Sequence, residues 1–196
     1  MNHPMNKTGN YLKSVKMRGA VLGMACLWSA GALAETAKLG KVEFIAETNV
    51  KMFRFTGEAH ELQAKIQRKG NQLIQLEIRI PVASIKTGME IRDKHTVERI
   101  FTAADGSTPD ILYSADKSDC KPGASSTEQI CLLDGKLTIR GSQKPFPLTV
   151  SFKDDNKVQG HAIINVLDFG VDPNTLMYTG IHVDKNVAVD FEVSLQ

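Results

Sequence analysis

Asp93 and His95 are the residues of this chain that most invite a chemical reading, because a carboxylate beside an imidazole can act as an acid–base pair. Their spacing argues against it. They sit in a stretch with helical spacing, and side chains two apart on a helix point in different directions. Arg92 and Asp93 read better as groups that tie this helix to a neighbouring rim. The histidines elsewhere, among them His60, His161 and His182, are scattered. No H-E-x-x-H pair, nucleophile elbow or phosphate loop accompanies them. Asp105-Gly106-Ser107-Thr108-Pro109-Asp110 resembles part of a calcium loop but lacks the closing glutamate, and reads as a turn. These residues assign no catalytic group, no metal and no cofactor.

The cysteines are more informative. Cys120 and Cys131 flank a polar, turn-rich stretch at 121–126, and in an oxidising compartment two cysteines at the ends of a hairpin loop form a disulfide. The compartment is suggested by the N-terminus. Lys13, Lys16 and Arg18 precede a short apolar run from Ala20 to Leu33 that ends in Ala32-Leu33-Ala34 before Glu35. This is the layout of a secretory signal peptide cut after Ala34. The run is shorter than the roughly 20 apolar residues of a membrane-spanning helix. An uncleaved anchor is the alternative, and translation from Met5 or Met17 stays open. Cys26 lacks the aliphatic lead-in of a lipoprotein site and leaves with the leader. The expected domains are therefore a signal peptide at 1–34 and one folded domain at 35–196. Removing the leader's four basic residues leaves 24 − 4 = 20 basic against 22 acidic residues, so the formal net charge changes from +2 to −2. Nothing in that balance points to a nucleic-acid partner.

Beyond Lys38 the dominant hydrophobic period is two. Val42, Phe44 and Ala46 alternate with polar neighbours. So do Phe53 and Phe55, the series Ile74 to Ile80, Leu137 and Ile139, Leu148 to Phe152, and Val187 to Leu195. Each reads as a strand with one apolar and one wet face. Turn signals at Lys69-Gly70-Asn71, Asp154-Asp155-Asn156 and Asp172-Pro173-Asn174 separate them. Asp134-Gly135 marks either a turn or a bulge within one strand from Gln129 to Arg140. The expectation is an all-β antiparallel meander of eight or nine strands, with one short helix between Gly88 and Ala103. Periodicity leaves a closed barrel and a two-layer sandwich level.

Three stretches together resemble the YceI-like family of bacterial periplasmic proteins. They are Ile85-Lys86-Thr87-Gly88 leading into Arg92-Asp93-Lys94-His95, then Gly135-Lys136-Leu137-Thr138-Ile139-Arg140-Gly141 with Pro145, and Asp168-Phe169-Gly170. Val166 stands where the family often has arginine, and Thr96 follows His95 where an aliphatic residue is usual. The resemblance implies a periplasmic, lipocalin-like barrel of about eight strands with a hydrophobic tunnel for a polyisoprenoid, an isoprenoid quinone or a fatty amide. The tunnel candidates are Phe44, Phe53, Phe55, Leu76, Ile78, Leu148, Val150, Phe152, Val189 and Phe191, with Arg92, Asp93 and His95 as polar candidates at the mouth. Such a protein is not an enzyme; its partner is a long-chain apolar lipid, exchanged during transient membrane contact. Two other readings compete: a small hydrolase or isomerase working at the mouth around Asp93 and His95, and a solid-core structural or stress-response module.

Overall fold

Period-two alternation becomes a ladder when each apolar face turns to the same side, and here one sheet carries all of them. The computed structural model describes residues 33–37, 40–50, 52–69, 72–125, 127–153, 157–178 and 180–194. The expected leader up to residue 32, and the turn residues at 70–71 and 154–156, lie outside them.

Twelve strands are present among the described residues: β1 (Leu33–Ala37), β2 (Gly40–Thr48), β3 (Arg54–Ala59), β4 (Gln63–Lys69), β5 (Gln72–Ile80), β6 (Ile85–Lys86), β7 (Ile111–Pro122), β8 (Gln129–Ile139), β9 (Ser142–Lys153), β10 (Lys157–Asn165), β11 (Met177–Tyr178) and β12 (Ile181–Ser194). All pair antiparallel, in the order β1-β4-β5-β7-β8-β9-β10-β12-β2-β3-β6, with β11 against the start of β12. The sheet curls around one cluster of buried side chains drawn from almost every strand, among them Val42, Leu76, Leu133, Val150, Val158 and Phe191. One sheet enclosing one core is a curled barrel and not a two-layer sandwich. The count exceeds the expected eight or nine because β6 and β11 have two residues each, too short for any period to show. β4 was also concealed: only Ala64 and Ile66 alternate there, among lysine, arginine and glutamine.

Asp134-Gly135 is not a turn. β8 runs straight through it, and the irregularity lies on the partner strand, where the register slips between Ala115 and Lys117. Cys120 and Cys131 are directly opposed on β7 and β8 and form a disulfide, with Cα atoms 4.0 Å apart. The bridge thus joins two paired strands rather than the ends of a loop. The expected cleavage point after Ala34 falls inside β1, and residues beyond it, Glu35, Thr36 and Ala37, pair with Ile66, Lys65 and Ala64 of β4.

The helix occupies Glu90–Thr96 (α1) and continues through a wide π-turn at Val97–Phe101, closed by the Thr102 N–H donating to the Val97 carbonyl at 2.9 Å. On the side of β3 away from β2, only Glu58 and Ala59 find a strand partner, in β6. Residues 54–57 have none there, and Arg92 of α1 lies over the Phe55 ring, 5.3 Å from its centroid. On that side the helix meets the edge of β3 through this side-chain contact.

The disulfide closes a short loop and its Cys131 end is wholly buried. Substituting both cysteines by serine is expected to lower stability by about 3 kcal/mol on chain-entropy grounds, read as a shift of the urea midpoint of the oxidised protein. An unchanged midpoint would mean that the bridge constrains nothing.

Candidate functional site

Among the described residues one end of the barrel is hollow. In its lower half, Ile66, Leu73, Leu76, Leu133, Val150, Phe152 and Val158 meet at the centre and are almost fully buried, and the Arg68 guanidinium lies 4.1 Å above the Phe152 ring. In the upper half the same alternation lines a cavity of about 680 Å³, within the range typical of small-molecule sites. β12 contributes lining from Val183 to Phe191, eight residue steps or roughly 26 Å of strand at a rise of about 3.3 Å per residue. The bulge in β12 and the tilt of the strand shorten that span, yet the space is long rather than round.

What keeps this half open is the pairing of rings with glycines. Phe44 on β2 lies opposite Gly57 on β3, and Phe191 on β12 opposite Gly160 on β10. A Cβ on Gly160 would run into the Phe191 ring, and one on Gly135 into the Tyr113 hydroxyl. Each ring lies down on a bare stretch of the adjacent strand and so becomes wall instead of filling. The Tyr113 hydroxyl ends up buried without a hydrogen-bond partner, and burial, helped by the Asp134 charge, pushes its pKa well above the ordinary phenol value.

Of the ten tunnel candidates, Phe44, Phe53, Phe55, Ile78, Leu148, Val189 and Phe191 line the cavity. Leu76, Val150 and Phe152 differ: they point inward too, but from the solid half, where they pack on one another. The sequence reading also left out Ile80, Tyr113, Leu137, Ile139, Phe146 and Ile164, which line the cavity. Ile80, Leu137 and Ile139 belong to alternations legible in the sequence, where only their height along the barrel is hidden, whereas Tyr113, Phe146 and Ile164 lie outside those alternations.

The cavity opens at the helix end. Phe53, Met89 and Ile91 line it and are also exposed, with Met52 and Met177 exposed beside them. Arg92 and His95 face this opening; Asp93 does not. The Asp93 carboxylate accepts from the Thr87 N–H and from the Thr87 hydroxyl, both at 2.6 Å, and so fastens α1 to the end of β6. The acid–base pair is therefore not assembled: one member is spent on Thr87 and the other looks into the lumen. His60 and His161 sit on the outer surface beside Glu58 and Asp190. Among the described residues no group of three or more His, Cys, Asp or Glu is placed to hold a metal.

Comparison with known proteins was informative at the level of family and fold. The family model for the YceI-like domain matches residues 36–195. Among solved structures, a polyisoprenoid binding domain from Saccharophagus degradans superposes with a TM-score of 0.64 at 14% identity, covering 85% of this chain and 99% of that one. BcnA from Burkholderia cenocepacia gives 0.62 at 18%, covering 80% and 96%. A YceI protein from Campylobacter jejuni gives 0.53 at 20%, covering 76% and 89%. A search of curated protein sequences gave no match.

Two outcomes are expected from this geometry. Gly160→Ala should lift the Phe191 ring into the lumen, costing about 1–3 kcal/mol and reducing the uptake of an apolar fluorophore; unchanged uptake would mean that the ring does not define the space. The Thr87 hydroxyl, with the Thr87 N–H and the nearby Lys86 and Arg92 charges adding to it, holds the Asp93 carboxyl below its ordinary value of 3.8. A lowered folded-state pKa gives stability that is present above the ordinary value and is lost as pH falls through the folded one. Asp93→Ala should therefore destabilise at neutral pH by about 1 kcal/mol and flatten the acid limb of a denaturation-against-pH curve, whereas an identical acid limb in both proteins would contradict the tether.

Proposed function

Since the chain belongs to the YceI-like domain family, we propose that it is an extracytoplasmic carrier that binds, transports or sequesters one long apolar molecule in its half-hollow barrel. The observation that carries this reading is the cavity itself: elongated, walled by aliphatic and aromatic side chains, and open at one end. The ligand class that fits is a polyisoprenoid, an isoprenoid quinone or a fatty amide. A relative of the same fold is described as a polyisoprenoid binding domain, which favours the first.

The energetics suit a carrier. Each methylene taken out of water gains about 0.8 kcal/mol, so a long chain is held firmly against the aqueous phase. Against a bilayer the gain nearly cancels, because the same methylenes are already buried there, and exchange with a membrane then runs close to balance. Met52, Phe53, Met89, Ile91 and Met177, exposed around the opening, suit transient contact with a bilayer surface during loading. Among the described residues no helix is long and apolar enough to cross a membrane. The disulfide and the leader-like N-terminus support the periplasm, with a signal peptide at 1–34 and the barrel at 35–196. The hydrolase or isomerase reading loses its main support, since Asp93 and His95 are not brought together, and the solid-core reading fits only the lower half.

Native mass spectrometry of gently extracted protein tests the carrier directly. A co-purifying lipid is expected, and Leu148→Trp, which fills the lumen from β9, should abolish it while the fold persists by circular dichroism. Protein that never carries lipid, and that fails to take up added C20 prenyl chains, would remove the proposal.

A further inference from the structure

The helix that borders the opening sorts its charges. Glu90, Arg92, Asp93, Lys94, His95, Glu98 and Arg99 all belong to α1 and its π-turn, yet only Arg92, His95 and Arg99 line the cavity. They stand at positions i, i+3 and i+7, one face of the helix. The helix acids are turned elsewhere: Asp93 is held by Thr87, and Glu98 faces Lys94 across 3.8 Å on the outer side. Among the described residues no carboxylate lies within ion-pair distance of Arg92, His95 or Arg99. Among the described residues Asp184, on β12, is the one acidic residue in this lining. Thr96 and Thr175 also belong to this lining.

The Arg92 guanidinium also lies over the Phe55 ring, beside the Met89 sulfur. Neither contact neutralises its charge, and the remaining N–H donors of its planar fork are left available. Arg92 is half-buried and Arg99 exposed at this rim, so both guanidinium groups are accessible there, and a guanidinium fork matches a carboxylate or a phosphate bidentately.

Resting on the carrier reading, we propose that Arg92, His95 and Arg99 form a subsite for an anionic head group, so that the carried molecule is a lipid anion with its chain in the barrel and its carboxylate or phosphate at the mouth. Neutral chains enter the same lumen and are held by burial alone. The anion adds charge-assisted hydrogen bonds at the rim and sets which amphiphile is preferred.

Displacement of an apolar fluorophore from delipidated protein tests this with three tail-matched C20 probes: geranylgeraniol, geranylgeranyl monophosphate and geranylgeranoic acid. The phosphate, the acid or both should bind at least tenfold more tightly than the alcohol, and their ranking says which oxyanion the subsite suits. Arg92→Gln combined with Arg99→Gln should erase that preference, read as the ratio of each anion's affinity to the alcohol's in the same protein, and the paired lysine replacements should keep much of it. Equal binding of all three probes by the wild type would overturn the head-group proposal and leave the carrier standing. So would an equal loss for every probe in the glutamine variant, which would give these residues a role only in shaping the mouth. A preference for anionic over neutral vesicles, with none among the soluble probes, would assign the cations to surface docking and likewise overturn it. Failure of all three probes to bind would bring down the carrier reading itself.

Discussion

The open half of the barrel depends on rings lying flat. A curled sheet this small, with bulky side chains pointing inward from every strand, fills itself, as the lower half shows with Leu76, Leu133, Val150 and Phe152. Above that level Phe44, Tyr113 and Phe191 each lie against a glycine of an adjacent strand. A glycine inside a strand weakens it by entropy and by the missing side chain. Here that loss is exchanged for wall thickness, because the ring covers bare backbone and the lumen keeps its width. The buried Tyr113 hydroxyl without a partner is part of the same arrangement: its ring belongs where the wall needs area, and no acceptor is close.

Much of this fold could be read in the residues, because a half-buried strand writes its burial directly into alternate positions. β5, β8, β9 and β12 were visible for that reason, and so was the helix, whose π-turn ends at Phe101 just short of the expected Ala103. β4 was harder to see. Ala64 and Ile66 are its only inward apolar residues flanked by charge, and a short alternation among lysines looks like surface. The height at which an inward residue stands cannot be read from alternation at all. Leu148 and Val150 are two residues apart on one face of β9, yet one lines the lumen and the other is solid core. Register and glycine placement decide that, and both are properties of neighbouring strands. Ile91 is an apolar helix residue exposed at the opening, where it serves the entrance and not the core.

The helix joins two tasks on separate faces. Thr87 and Asp93 fasten it to the end of β6, while Arg92, His95 and Arg99 look into the lumen. Two residues that looked like a chemical pair in the sequence thus divide, one holding the element in place and the other facing what the cavity receives. The wide turn at Val97–Phe101 lets Arg99, Ile100 and Phe101 all reach the same lining, and such turns recur where a helix serves a site.

The missing strand partner along residues 54–57 has a mechanical consequence. Elsewhere around the wall, a change in girth would break rows of backbone hydrogen bonds. Beside β3 the neighbour is a helix held by side-chain contacts such as Arg92 on Phe55 and by the Thr87 anchor at its base. A change of girth at this flank would be resisted by those side-chain contacts rather than by a row of backbone hydrogen bonds.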